Sequence, residues 1–102
     1  AILNIKTLAS KYGCKVMVCE VGVKAPASEI ATSTQCLTDF MNSVKSLSVC
    51  AGVFYWEPQV DGKWKPSIYE KSDRNWGAYS MGAFTSDGST FSPTSILSAF
   101  GE

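Results

Sequence analysis

Apolar residues recur along this chain at two periods, and the switch between them marks its elements. Ile2, Ile5, Leu8, Ala9 and Tyr12 fall at helical spacing, and Gly13 follows. Glycine is the usual residue just past a helix end, so the spacing predicts a helix over Ala1 to Tyr12. Ala1 offers no side-chain acceptor to the first turn, as expected of a chain that begins inside a longer parent. Val16-Met17-Val18-Cys19 is then a continuous apolar run that ends at Glu20. A run without alternation predicts a strand buried on both faces. The pleat puts Val16, Val18 and Glu20 on one face and Met17 and Cys19 on the other.

Val21 to Ser28 reads as a loop, with Gly22 and Pro26 inside it and Ser28 as a helix cap; Pro26 also suits a first turn. Ile30, Leu37, Phe40, Met41, Val44 and Leu47 form one apolar stripe, which predicts an amphipathic helix over Ser28 to Ser48. Phe40 and Met41 read as core residues of that stripe. Ala51 to Trp56 is a second strand, stopped by Pro58, which cannot continue a central ladder. Its alternation places Val53, Tyr55 and Glu57 together, with Phe54 and Trp56 opposite.

From Gln59 to Gly88 no period emerges. Asp61-Gly62, Lys65-Pro66, Asp73-Arg74-Asn75 and Asp87-Gly88 are turn signals, and Trp64, Tyr69 and Trp76 sit among them. Long aperiodic loops in compact domains tend to carry function. Gly82-Ala83-Phe84 reads as a short packed piece. Ser92-Pro93-Thr94-Ser95 reads as the start of a terminal helix that carries Ile96, Leu97 and Phe100 and ends at Gly101.

Strand, helix, strand with an acid at each strand end is a βαβ pattern of the α/β class, whose ligands sit at the carboxyl ends of parallel strands. Two parallel strands cannot cover both faces of their own sheet. The pattern fits the last quarter of a TIM-type (β/α)8 barrel, strands seven and eight with flanking helices; a whole barrel takes roughly 250 residues. The 102 residues therefore read as a single partial domain. If the chain stands alone, its strand edges invite pairing between copies.

Composition narrows the chemistry. Nine basic residues balance nine acidic ones, which disfavours binding to a polyphosphate such as nucleic acid. No apolar run reaches the ~20 residues that cross a bilayer. The chain has no histidine, so no triad or histidine metal site can form within it. Cys14, Cys19, Cys36 and Cys50 form no Cys-x-x-Cys pair and read as small buried hydrophobes; a bridge between Cys14 and Cys50, each just before a strand, is conceivable.

Two stretches carry a family resemblance. Val-Met-Val-Cys-Glu-Val-Gly at 16 to 22 and Gly-Val-Phe-Tyr-Trp-Glu-Pro at 52 to 58 resemble the seventh and eighth strands of the arabinogalactan endo-β-1,4-galactanases, family 53 of the glycoside hydrolases. The tail from Trp76-Gly77 through Gly82-Ala83-Phe84 and Asp87-Gly88 to Phe100 is similar to that family's closing segment. The resemblance implies a retaining hydrolase on a βα barrel, secreted or at the cell surface, that cuts β-1,4-galactan in pectin side chains without a cofactor. It assigns Glu20 the role of nucleophile and implies that the acid/base lies on a fourth strand absent from this chain, so that the 102 residues alone are inactive. The sequence departs from the family at Val21 and Val23, where a hydroxyl residue and an aromatic are usual. The loop after the first strand is short and offers few oxygen ligands, so no metal is assigned.

A retaining glycosidase needs two carboxyl groups about 5 Å apart, one attacking the sugar carbon and one protonating the leaving oxygen. Beside Glu20, Tyr55 is positioned to donate a hydrogen bond to the nucleophile. Trp56 suits stacking on an apolar sugar face, as does Trp76 more weakly, and Glu57 can accept from a sugar hydroxyl or a neighbouring side chain. Two other readings stand beside the enzyme: a non-catalytic carbohydrate-binding module built on Trp56, Trp64 and Trp76, and a structural or interaction domain without a sugar site. The long amphipathic helix argues against the module, because such modules are usually antiparallel sandwiches.

Overall fold

The computed structural model describes residues 1–60 and 80–101. Trp64, Tyr69 and Trp76, and the turn signals from Asp61 to Asn75, lie outside the described residues. The first helix, α1, spans Ile2–Tyr12 and stops at Gly13, whose φ of 63° and ψ of 33° are left-handed and whose N–H donates to Ala9 O at 2.9 Å. Strand β1 (Val16–Val21) follows, then helix α2 (Ile30–Lys45) and strand β2 (Cys50–Tyr55). The two strands pair in parallel, so the βαβ unit read from the apolar pattern is present. The second helix is shorter than its stripe suggests, and its N-cap is Glu29 rather than Ser28, without a side-chain cap bond.

The core lies on one face of this sheet. Leu37, Met41 and Val44 of α2 are buried with Ile5 of α1 and with Ala83, Ile96 and Ala99. Val16, Val18, Val21, Val53 and Tyr55 pack against that cluster from the strands. Ser33 joins the buried row of α2 one turn before Leu37, a polar residue that the apolar stripe could not announce. Phe40 is only half-buried, while Met41 is buried.

The other face is bare of described elements. Met17, Phe54 and Trp56 are 48, 58 and 48% exposed. The expectation of a strand buried on both faces is thus corrected, because no described element covers the second one. The same correction applies to the cysteines: Cys14, Cys19 and Cys36 are exposed, Cys50 is half-buried, and none is in a disulfide.

After the sheet, Phe84–Ser86 (β3) and Phe91–Pro93 (β4) form an antiparallel hairpin that the apolar pattern does not predict. Asp87 holds its turn, its Oδ1 accepting from the N–H groups of Ser89 at 2.9 Å and Thr90 at 2.8 Å. Pro93 ends β4 instead of opening a helix. Thr94 is the cap, accepting from Ile96 N at 3.3 Å, and Ser95–Phe100 is a 3-10 helix rather than an α-helix. That helix docks along α2, where Thr34 Oγ1 and Ser95 Oγ lie 2.9 Å apart.

Candidate functional site

The carboxyl ends of β1 and β2 lie side by side because the ladder holds them in register. Val18 pairs with Val53 and Val21 with Tyr55. Between these pairs β1 has two residues, Cys19 and Glu20, where β2 has one, Phe54. This is a β-bulge, and it changes the face assignment. A regular pleat would put Glu20 with Val16 and Val18. The extra residue instead turns Val21 into the core and leaves Cys19 and Glu20 exposed. The structure therefore corrects the expected grouping. Glu20 belongs to the bare face, the face that carries Met17, Phe54 and Trp56.

The neighbouring strand delivers Trp56 to the same end. Tyr55 packs into the core, so its successor turns the other way, and Trp56 N–H donates to Val21 O at 2.9 Å. Glu57 then leaves the strand with a φ of 51°, in the left-handed region that side chains other than glycine, asparagine and aspartate seldom occupy. Alternation does not carry through such a residue, so Glu57 does not share a face with Val53 and Tyr55 as the pattern suggested. Both acids are exposed, and neither carboxylate has a partner among the described residues.

Tyr55 does something other than meet Glu20. Its hydroxyl donates to Met81 O at 2.5 Å and accepts from Val23 N at 3.3 Å. Its one proton is thus committed on the covered side of the sheet, and its ring meets Phe100 edge-on at 6.1 Å. Burial pushes the phenol up from its ordinary value, and the Val23 N–H bond partly offsets that. Around it, Ala25 N–H donates to Ser80 O at 3.1 Å and Ala83 N–H to Pro58 O at 2.8 Å. These bonds tie the loop after β1, the corner after β2 and residues 80–83 into one support beneath the strand ends. Gly82 belongs to it: a Cβ there would lie 2.7 Å from Val60 O. The role of this segment was signalled in the sequence only by Gly82-Ala83-Phe84.

Of the sequence-predicted site residues, Glu20, Trp56 and Glu57 are thus brought to one end of the sheet, Tyr55 stands beneath them, and Trp76 lies outside the described residues. A cleft of about 340 Å³ between Val23, Lys24, Cys36 and Met81 lies behind the β1 loop, and another of about 400 Å³ lies near Cys14 and Val49 at the opposite strand ends. Neither is lined by Glu20 or Trp56. Among the described residues no three His, Cys, Asp or Glu side chains gather in a way that could hold a metal ion. No described helix is long and apolar enough to cross a membrane.

Comparison with protein-family models, with curated proteins and with solved structures found no match to this chain.

Proposed function

We propose that this chain is the nucleophile-bearing segment of a retaining endo-β-1,4-galactanase, with Glu20 as the attacking carboxylate and Trp56 as the platform under the sugar. The observation that carries the reading is the bulge at Cys19 and Glu20, which sets an acid and an indole on the same bare face at adjacent parallel strand ends. It is supported by the resemblance of the two strand motifs to the family-53 galactanases. On this reading the bare face is the interior of a (β/α)8 barrel, where catalytic groups stand at strand carboxyl ends.

The chemistry follows from the two groups. Galactosyl rings present apolar C–H faces that stack on an indole, which holds the anomeric carbon over the strand ends. A Glu20 oxygen attacks that carbon while the bond to the leaving oxygen breaks, and a glycosyl ester forms. A second carboxyl group must protonate the leaving oxygen and later activate water. The reading places that group on a strand outside these 102 residues. The chain by itself is then expected to leave galactan uncut.

An activated substrate removes the need for the second group. A dinitrophenyl 2-deoxy-2-fluoro-β-galactoside loses a stable phenolate without protonation, and the fluorine slows hydrolysis of the ester. The labelled chain is digested and its peptides weighed. The expected result is one fluoroglycosyl adduct on the peptide that contains Glu20, absent from Glu20→Gln. An adduct elsewhere, or none, removes Glu20 from the nucleophile's role.

A further inference from the structure

The cleft of about 340 Å³ behind the β1 loop has an order of its own. Glu29, Ser33 and Cys36 line it from α2 and its cap, four and then three residues apart, so they stand in one row on the helix. Val23 and Met81 add apolar surface. At one end of the row Lys24 Nζ lies 3.8 Å from Glu29 Oε1, an ion pair too long for a hydrogen bond. At the other end is the free, exposed thiol of Cys36. From Glu29 to Cys36 the helix rises ~10 Å. Ser33 lies between the two ends and is 8% exposed. Its hydroxyl makes no hydrogen bond with a described residue, not even to the carbonyl four residues back, as Thr34 does. Among the described residues no sealed side-chain oxygen lacks a partner, so the Ser33 hydroxyl opens onto the cleft it lines. Buried hydroxyls are ordinarily paired, and this one points to a partner from outside the chain.

We propose that this cleft is a modification site, in which Cys36 forms a mixed disulfide with a thiol tripeptide whose far end is zwitterionic, as in glutathione. Three extended residues span ~10 Å, which matches the rise between Glu29 and Cys36. The far end's carboxylate meets Lys24 and its ammonium meets Glu29, while a peptide amide pairs with the Ser33 hydroxyl. The Cys36 thiolate attacks one sulfur of the peptide disulfide. The bond between Cys36 Sγ and that sulfur forms as the original S–S bond breaks. The other half leaves as a thiolate and takes up a proton, which balances the one lost from Cys36. Cys36 is oxidised and one peptide half is reduced, so the peptide disulfide is the only oxidant required. None of this depends on a sugar at the strand ends.

The test incubates the 102-residue chain with oxidised glutathione and follows each cysteine by peptide mass spectrometry. Cys14 and Cys19 are also exposed and serve as internal references. Cys36 is expected to take up glutathione roughly tenfold faster than either, because the charged contacts seat the peptide beside it. With 2-hydroxyethyl disulfide, which has neither charges nor a peptide, the three cysteines are expected to react at similar rates. Glu29→Gln and Ser33→Ala are each expected to cut the glutathione lead about threefold. Ser33→Ala is also expected to melt no lower than the unaltered chain, since it loses an unpaired hydroxyl and gains a better helix former. A Cys36 that takes up glutathione no faster than Cys14 and Cys19 overturns the site. An equal lead with 2-hydroxyethyl disulfide, or one untouched by Glu29→Gln, overturns the seat for the peptide. A lower melting point in Ser33→Ala shows a hydroxyl paired inside the fold and overturns its part in the site.

Discussion

The two faces of the β1–β2 sheet are made by the same strands and have opposite fates. On one face Val16, Val18, Val21, Val53 and Tyr55 meet the buried residues of both helices. On the other, Met17, Phe54 and Trp56 remain about half exposed. Apolar residues are expected on a face that packs, and no described residue covers these three. The covered face holds the fold together, whereas the bare one carries Glu20 and Trp56. On the proposed reading, stability and function are separated here by side-chain direction.

Substitutions on each face test that separation. The largest effect is expected at Leu37, which is 1% exposed in the centre of the covered core. Leu37→Ala should cost about 3 kcal/mol in urea unfolding, while Phe54→Ala on the bare face should cost well under about 1 kcal/mol. Equal losses would mean that the bare face is packed in solution. Next comes Gly82→Ala. The new methyl group would sit 2.7 Å from Val60 O and 3.1 Å from Pro58 O, both backbone atoms that cannot swing aside. A loss of about 2 kcal/mol is expected, with the tryptophan emission of the strand ends shifted.

Tyr55→Phe should cost about 1 kcal/mol, because it leaves Met81 O and Val23 N without the hydroxyl. It should also alter the alkaline limb of stability. The folded phenol titrates above its ordinary value of about 10, so its contribution is whole below that pH and is lost as pH rises through the folded value. The difference between unaltered chain and Tyr55→Phe should therefore shrink above about pH 10. A constant difference would show that the hydroxyl is not held as described. The smallest effect is expected at Asp87, where the N–H groups of Ser89 and Thr90 hold the carboxyl below its usual range. Its contribution is present above about pH 3.9 and fades as pH falls through the folded value. Asp87→Ala should thus weaken the hairpin at neutral pH and make no further difference in strong acid.

Much of this was legible in the chain, and the illegible parts have physical causes. Gly13 and the stripe through Leu37, Met41 and Val44 announced two helices, because 3.6-residue periods over several turns leave a long signal. The parallel pairing followed from an apolar run on either side of a helix. The bulge did not, since a single inserted residue leaves no trace in a six-residue strand, and it reversed the face of Glu20. The hairpin was hidden because three-residue strands are too short to show alternation, and only Asp87-Gly88 pointed to its turn. Adjacency in the ladder is visible in sequence and suggests Tyr55 as a donor to Glu20, while the side of the sheet on which a hydroxyl ends is not visible there. The strain at Glu57 had no signal beyond the proline after it.

The most direct test of the separation of faces is hydroxyl-radical footprinting of the 102-residue chain, with and without β-1,4-galactotetraose, read residue by residue in a mass spectrometer. Rapid oxidation of Met17, Phe54 and Trp56 in the free chain, slow oxidation of Met41, and protection of Trp56 on addition of the sugar are expected. Met17 oxidising as slowly as Met41, or Trp56 oxidising at one rate with and without sugar, would contradict this.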